Sequence, residues 1–166
     1  MIDTTSIKNP VLLRVPHPCC SVVLFVLLAV PVFLYPQTAE RIEHLLATGA
    51  VSYGDAAQLV LEAADVFAAP TPAAAFSYAA QRGWLPKGAS AGGKARLDGV
   101  SLLIMRSFNI RGGLFFSITK NAHYAYRELV YLNDIQGRND PAMAVSGDLL
   151  LFMVNRILSY QEVNQL

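Results

Sequence analysis

Cysteine and charge are both scarce in this chain of 166 residues. Its two cysteines, Cys19 and Cys20, stand side by side near the N-terminus, so disulfide and thiolate chemistry is excluded beyond residue 37. Charged residues make up 15% of the sequence and apolar residues 54%, whereas soluble domains carry roughly 25% charged residues. Because disorder requires low hydrophobicity and high net charge, this composition predicts a folded chain.

The side chains that catalysis and metal binding need are also sparse beyond residue 37. Two histidines occur there, His44 and His123, far apart and without a surrounding motif. A zinc site would need three or four Cys, His or carboxylate ligands at regular spacing. The loop that holds Asp134 and Asp140 lacks the alternating acids and the final glutamate of a calcium loop. We therefore predict no catalytic residues, no metal site, no cofactor and no enzymatic activity.

An uncharged apolar segment extends from Cys19 to Tyr35, with basic residues before it and a charged stretch after it. This order is typical of a secretory signal peptide, and the segment is short for a membrane-spanning helix, which needs roughly 20 apolar residues. Three interpretations stay open: a cleaved signal, an uncleaved membrane anchor and a buried core helix. We predict that residues 1–37 are a signal peptide or membrane anchor, and that the protein is exported to the periplasm or cell envelope.

The sequence beyond this leader has the signals of an all-α domain. Ser52 begins a pattern that resembles a capping box, and Thr71, followed by a proline, is a favourable helix start. Asp98 and Ser146 are predicted to cap two further apolar helices, and the spacing of apolar residues predicts another helix from Thr119. Because no stretch alternates at period two, we expect little strand.

An internal repeat organises these helices. A shift of 48 residues places Ser77 on Ala125 and Leu97 on Val145, and each segment reads as a helix, a polar loop with glycine and a more apolar helix. In a shorter first unit, Gly54 matches Gly147. One such unit could not bury its own apolar face, whereas three could share a core. We predict three helix–loop–helix units, at approximately 38–70, 71–118 and 119–166.

This repeat resembles the S-layer homology module of bacterial envelope proteins. That family's unit has a helix, a turn rich in Gly and Asp or Asn, and a second helix that begins with a Thr-Arg-Ala-Glu-like tetrad. The tetrad positions fall at Leu97–Val100 and at Val145–Asp148. The resemblance implies a pseudo-threefold bundle that binds cell-wall polysaccharide. In the family the tetrad arginine grips the acidic polymer, whereas Asp98 and Ser146 stand at its positions here.

Aromatic and basic residues beside the loops are the predicted binding site. The section from residue 82 to 120 has seven Lys or Arg side chains and Asp98 as its one acid, a charge that favours an anionic partner unless the fold neutralises it. Aromatic rings at loop mouths stack on sugars or peptides, although helical spacing alone also explains Tyr78 and Tyr126 as core. The predicted ligand-binding residues are Trp84, Arg82, Lys87, Lys94, Arg96, Tyr131 and Asp140.

The predicted function is non-catalytic binding in the cell envelope through the loops at the helix ends. The predicted partner is a cell-wall polysaccharide, peptidoglycan or another envelope protein, and a membrane tether is a further possibility. The alternative is a membrane-tethered protein–protein scaffold or assembly factor that uses the apolar helices or Phe115-Phe116 and binds no glycan. Nucleic-acid binding fits the basic section but conflicts with export, so we predict none.

Overall fold

The computed structural model describes residues 35–136 and 140–164, and all regular secondary structure in these ranges is α-helical. The all-α prediction is confirmed for them. The predicted leader, residues 1–37, lies outside the described residues except for its last three positions. Contacts between Cα atoms place the described residues from Arg41 onward in one compact unit. The described helices are α1 (Tyr35–Ala47), α2 (Tyr53–Ala63), α3 (Pro72–Gln81), α4 (Leu97–Ser107), α5 (Leu114–Thr119), α6 (Ala122–Tyr131) and α7 (Gly147–Asn164).

Side-chain caps begin three of these helices. The Ser52 hydroxyl accepts a hydrogen bond from the backbone N–H of Asp55 at 3.2 Å, and the Thr71 hydroxyl accepts one from Ala74 at 3.2 Å. The side-chain oxygen of Asn121 accepts from a backbone N–H in the first turn of α6. Each cap satisfies a backbone donor that has no partner inside the helix. The predicted starts at Ser52 and Thr71 are therefore confirmed.

Two predicted helix starts are wrong. Asp98 is not a cap, because α4 begins one residue earlier at Leu97, and the carboxylate of Asp98 instead pairs with Arg96, the residue before the helix. The helix predicted from Thr119 is interrupted, because Lys120 adopts a left-handed backbone with φ of 49° and ends the short helix α5. A new helix, α6, then begins at Ala122. Apolar spacing continues across this break, so periodicity alone did not detect it.

Backbone hydrogen bonds join the chain just before α2, α4 and α7 in a closed ring. The N–H of Val51 donates to the carbonyl of Val145 at 2.9 Å, the N–H of Val145 to Ala95 at 2.9 Å, and the N–H of Ala95 to Val51 at 2.8 Å. All three residues are fully buried. The ring satisfies polar groups that burial would otherwise leave unpaired, and it holds the three helix starts together.

The two helix–loop–helix segments correspond at an offset of 50 residues, not the predicted 48. Thr71 and Asn121 both cap a helix, and Gly83 and Asn133 both have positive φ in the turn that follows. At an offset of 48, the exposed Ser77 would correspond to the fully buried Ala125. Because small and apolar residues are frequent along both segments, a shift that is wrong by two residues still pairs similar side chains.

The described core lies mainly between two helix pairs. Helix α2 packs against α3, and α4 packs against α6, with further contacts from α2 to α4 and to α7. Among the described helices, none is both long and apolar enough to cross a bilayer. The last residues of α3 and α6, Gln81 and Tyr131, are exposed, whereas the turns that follow bury Leu85 and Asp134. The largest fully buried side chains include Leu61, Leu97, Leu103, Ile104, Met105, Phe116, Leu129, Leu150 and Met153.

Candidate functional site

The structure brings two of the predicted binding residues, Arg82 and Trp84, into one cluster at the end of α3. Phe67 stacks on Tyr78 with ring centroids 4.4 Å apart, and Trp84 meets Tyr78 edge-on at 6.1 Å. The guanidinium carbon of Arg82 lies 3.5 Å from the Tyr78 ring centroid. Trp84 is half-buried and packs against the core. These rings and the guanidinium therefore satisfy one another, which leaves little aromatic surface for a ligand.

The other predicted basic residues lie on the loop between α3 and α4 and at the start of α4. Lys87, Lys94 and Arg96 are exposed. Arg96 Nη2 lies 2.8 Å from a carboxylate oxygen of Asp98, so its charge is largely matched. Within the part of the chain that the structure describes, Lys87 and Lys94 have no ion pair. This loop keeps two free cations, as the predicted anion contact requires.

Asp140 has a structural role in its loop. Its Oδ1 accepts a hydrogen bond from the backbone N–H of Ala142 at 2.8 Å, and its carbonyl accepts one from Met143 at 3.0 Å. A short polar side chain that bonds to the backbone two residues on is typical of a turn. Asp140 is exposed, so the same carboxylate also faces solvent.

Tyr131, the last predicted binding residue, belongs to an open groove between α5 and α6. It is 85% exposed, which is unusual for a tyrosine. The groove has a volume of about 410 Å³. We call it the aromatic groove and define it by Gly113, Phe115, Tyr124, Arg127, Glu128 and Tyr131.

The corner between α5 and α6 shapes the aromatic groove. Phe115 stacks on Tyr124 with ring centroids 5.6 Å apart and planes at 14°, although 66% of Phe115 remains exposed. A side chain at Gly113 would approach Glu128 Oε1 to 2.8 Å, so a glycine lets this carboxylate lie against the start of α5. Rings, an arginine and a carboxylate thus surround one concave surface.

Sequence reasoning found only part of this groove. It offered Phe115 and Phe116 together as a protein–protein surface, and the structure leaves only one of the two rings exposed. Phe116 is 2% exposed and fills the core, whereas Leu114 and Phe115 lie on the surface. Arg127 and Glu128 were not predicted as site residues. Two aromatic residues after a glycine pair were the available signal, and only the position of α6 decides which ring is buried.

A second cleft lies where α4 and α7 end and where the turn after α6 begins. Its walls are Ile110, Leu132 and Ile157, its rim carries Arg111 and Tyr160, and Asp134 is buried at its side. The volume is about 270 Å³. Burial raises the pKa of Asp134, and the nearby positive charge of Arg156 opposes that rise. We call this site the Asp134 cleft.

No group of three or more His, Cys, Asp or Glu side chains that could hold a metal ion occurs within residues 35–136 and 140–164. His123 is exposed and meets Tyr124 edge-on at 5.6 Å, and His44 is exposed on α1. Comparisons with protein-family models, with curated proteins and with solved structures found no match.

Proposed function

We propose that this chain is a non-catalytic, exported binding protein of the cell envelope that holds a cell-wall glycan, either peptidoglycan or a wall polysaccharide, in the aromatic groove. The observation that carries the proposal is the highly exposed Tyr131 beside the Phe115–Tyr124 stack. Exposed rings at a concave surface cost solvation free energy, which a ligand that covers them would recover.

The groove has the chemistry that sugar rings require. Aromatic faces pack against the apolar faces of sugars, and planar charged groups such as Arg127 and Glu128 form hydrogen bonds with hydroxyls. Arg127 also offers a fixed fork of donors to the carboxylates of acidic sugars. Few polar groups at defined places within a mostly apolar lining are typical of ligand sites.

The resemblance to the S-layer homology module concerns how the helices are arranged. We propose three units related by a pseudo-threefold axis, and the closed hydrogen-bond ring of Val51, Ala95 and Val145 supports this arrangement. The offset of 50 residues between the second and third units supports it as well. The uncharged apolar segment from Cys19 to Tyr35, whose sequence pattern is typical of a signal peptide, supports export.

The offset of 50 residues also changes which residues occupy the positions of the Thr-Arg-Ala-Glu-like tetrad. Helices α2, α4 and α7 begin directly after Ser52, Arg96 and Ser146, so the tetrad arginine would stand one residue later. Those positions hold Tyr53, Leu97 and Gly147, which are not cations. Binding through a tetrad arginine is therefore replaced in the proposal by binding through the aromatic groove.

A pull-down of the full chain on insoluble peptidoglycan and on purified wall polymer tests the proposal. We expect Tyr131→Ala and Phe115→Ala each to weaken retention about tenfold, because an aromatic contact is worth on the order of 1 kcal/mol beyond the area that it buries. Lys87→Ala tests the basic loop separately, and Asp65→Asn, an exposed residue outside both the groove and this loop, is the control. Retention of neither polymer by the wild type would refute the glycan proposal.

A protein–protein scaffold is the second candidate, and the exposed face of α5 favours it. Leu114 and Ile118 are 71% and 72% exposed and lie one turn apart, so they present a common apolar strip. Crosslinking in cells to one envelope protein, lost in a Leu114→Ser and Ile118→Ser double variant, would favour the scaffold if the wild type also showed no glycan retention.

A further inference from the structure

The Asp134 cleft contains a buried carboxylate whose bonding capacity is incompletely used. Asp134 is 1% exposed, and its Oδ1 has no hydrogen-bond partner. The nearest cation is Nε of Arg156 at 3.6 Å, an ion-pair distance just beyond hydrogen-bonding range, and this Nε also lacks a hydrogen-bond partner. A buried charge is costly unless it is paired and hydrogen-bonded, so this oxygen can accept a further donor.

Arg156 is fixed in a way that leaves Asp134 available. Its Nη2 donates a hydrogen bond to the hydroxyl of Tyr160 at 2.8 Å, and its guanidinium carbon lies 5.8 Å from the Phe152 ring centroid. Arg156 therefore faces Asp134 with its Nε atom and not with its two terminal Nη atoms. Burial raises the pKa of Asp134 despite this neighbour, which agrees with incomplete compensation of the carboxylate charge.

The second helix–loop–helix unit shows the equivalent position occupied by a large side chain. Fifty residues earlier, the equivalent turn carries Trp84 in place of Asp134. The backbone N–H of Trp84 donates to the carbonyl of Ala79 at 3.0 Å, and the backbone N–H of Asp134 donates to the carbonyl of Leu129 at 2.9 Å. Trp84 packs its ring against Tyr78, whereas Asp134 lines an open cleft. The cleft therefore occurs where a short carboxylate takes the place of a large ring.

The remaining lining defines the shape and charge of a ligand. Ile110, Leu132 and Ile157 provide apolar walls on the way to the carboxylate. Arg111 at the rim is exposed and has no ion pair among the described residues. An apolar stem between a buried anion and an outer cation matches a molecule that has an ammonium group at one end and a carboxylate at the other.

We propose that the Asp134 cleft is a second binding site that takes a free amino acid with a primary ammonium group at the end of an unbranched alkyl stem, as in a diamino acid. The ammonium group donates hydrogen bonds to Asp134, the stem lies between Leu132 and Ile157, and a carboxylate at the other end pairs with Arg111. This site is separate from the aromatic groove and does not depend on glycan binding.

Calorimetric titration of the full chain with three matched probes tests this proposal. Pentylamine carries the ammonium group alone, hexanoate carries the carboxylate alone, and 6-aminohexanoate carries both. We expect 6-aminohexanoate to bind tightest and hexanoate at least about tenfold more weakly, because a hydrogen bond to a charged group typically exceeds a factor of ten. Arg111→Gln should weaken 6-aminohexanoate severalfold and leave pentylamine unchanged.

Asp134→Asn keeps the shape of the side chain and removes its charge, so it should reduce pentylamine affinity at least about tenfold. Asp65→Asn is the control, because Asp65 is an exposed aspartate in a left-handed conformation that asparagine tolerates. Leu132→Trp, which fills the cleft and keeps Asp134, should also abolish binding if Asp134→Asn does not fold. Tyr131→Ala in the aromatic groove should leave amine binding unchanged.

Three results would each overturn the proposal. They are no saturable binding of either amine by the wild type, equal binding of hexanoate and pentylamine, and unchanged pentylamine affinity in folded Asp134→Asn or Leu132→Trp protein. Amine binding by a wild-type protein that retains neither peptidoglycan nor wall polymer would refute the proposed function alone.

Discussion

Gly147, the first residue of α7, packs against the backbone of α1, and a methyl group at this position would have no room. An ideal Cβ on Gly147 would overlap the carbonyl carbon and oxygen of Leu45. The N–H of Gly147 also donates to the carbonyl of Thr48 at 2.9 Å. Because both neighbours are backbone atoms, a side-chain rotation cannot relieve the collision. Gly147→Ala must therefore displace α1 from the start of α7.

The magnitude follows from three contributions. Overpacking costs about 2 kcal/mol, and strain on the hydrogen bond to Thr48 costs about 1 kcal/mol. Alanine regains at most about 1 kcal/mol through its better helix propensity. The expected net loss in the free energy of unfolding is therefore about 2 kcal/mol. Gly49→Ala is the matched control, since its Cβ would meet no atom within 4 Å, and it should raise stability by about 0.5 kcal/mol.

Urea unfolding monitored through the fluorescence of Trp84, the single tryptophan, measures both variants. With a slope of about 2 kcal/mol per molar urea, the midpoint of Gly147→Ala should fall by about 1 M, and that of Gly49→Ala should rise slightly. Equal midpoints for wild type and Gly147→Ala would show that α1 does not pack on α7 as described. An equal loss in both variants would assign the effect to loop conformation instead.

Further predictions concern the core and the pH dependence of stability. Phe116→Ala should lower the free energy of unfolding by about 3 kcal/mol or more, whereas Leu114→Ala should change it by less than about 0.5 kcal/mol, as measured by urea midpoints. Because the pKa of folded Asp134 lies above its ordinary value of 3.8, its contribution should make stability fall as pH rises from 3.8 through the folded pKa. Asp134→Asn should remove that fall in a melting-temperature series. Hydrogen bonding with Ser146 lowers the pKa of Asp148, so its contribution should be lost as pH falls below 3.8 through the folded pKa, and Asp148→Asn should abolish this opposite trend.

Helix content and two of the starts were predictable because their causes are local. A serine or threonine cap bonds to a backbone N–H three residues away, so Ser52 and Thr71 carry the information within one turn of helix. The break at Lys120 was not predictable in this way. A lysine in the left-handed region carries no distinctive sequence signal, unlike a glycine.

The candidate site was predicted in part. Tyr131 was correctly expected beside a loop, but its partners Phe115 and Tyr124 come from different helices, and their stacking depends on how α5 meets α6. Trp84 and Arg82 were predicted as contacts for a ligand, whereas the fold directs them toward Tyr78. Residue types indicated rings and cations near the loops. They did not indicate which rings pack with other rings and which remain exposed.

The sequence by itself determined the all-α class, the caps at Ser52 and Thr71 and the presence of a repeat, since these depend on composition and on bonds between near neighbours. Only the tertiary structure decided the 50-residue register, the ring that joins Val51, Ala95 and Val145, and the open cleft at Asp134. Those features depend on segments that are distant in sequence and meet only after packing, where burial selects one alignment among several with similar apolar patterns.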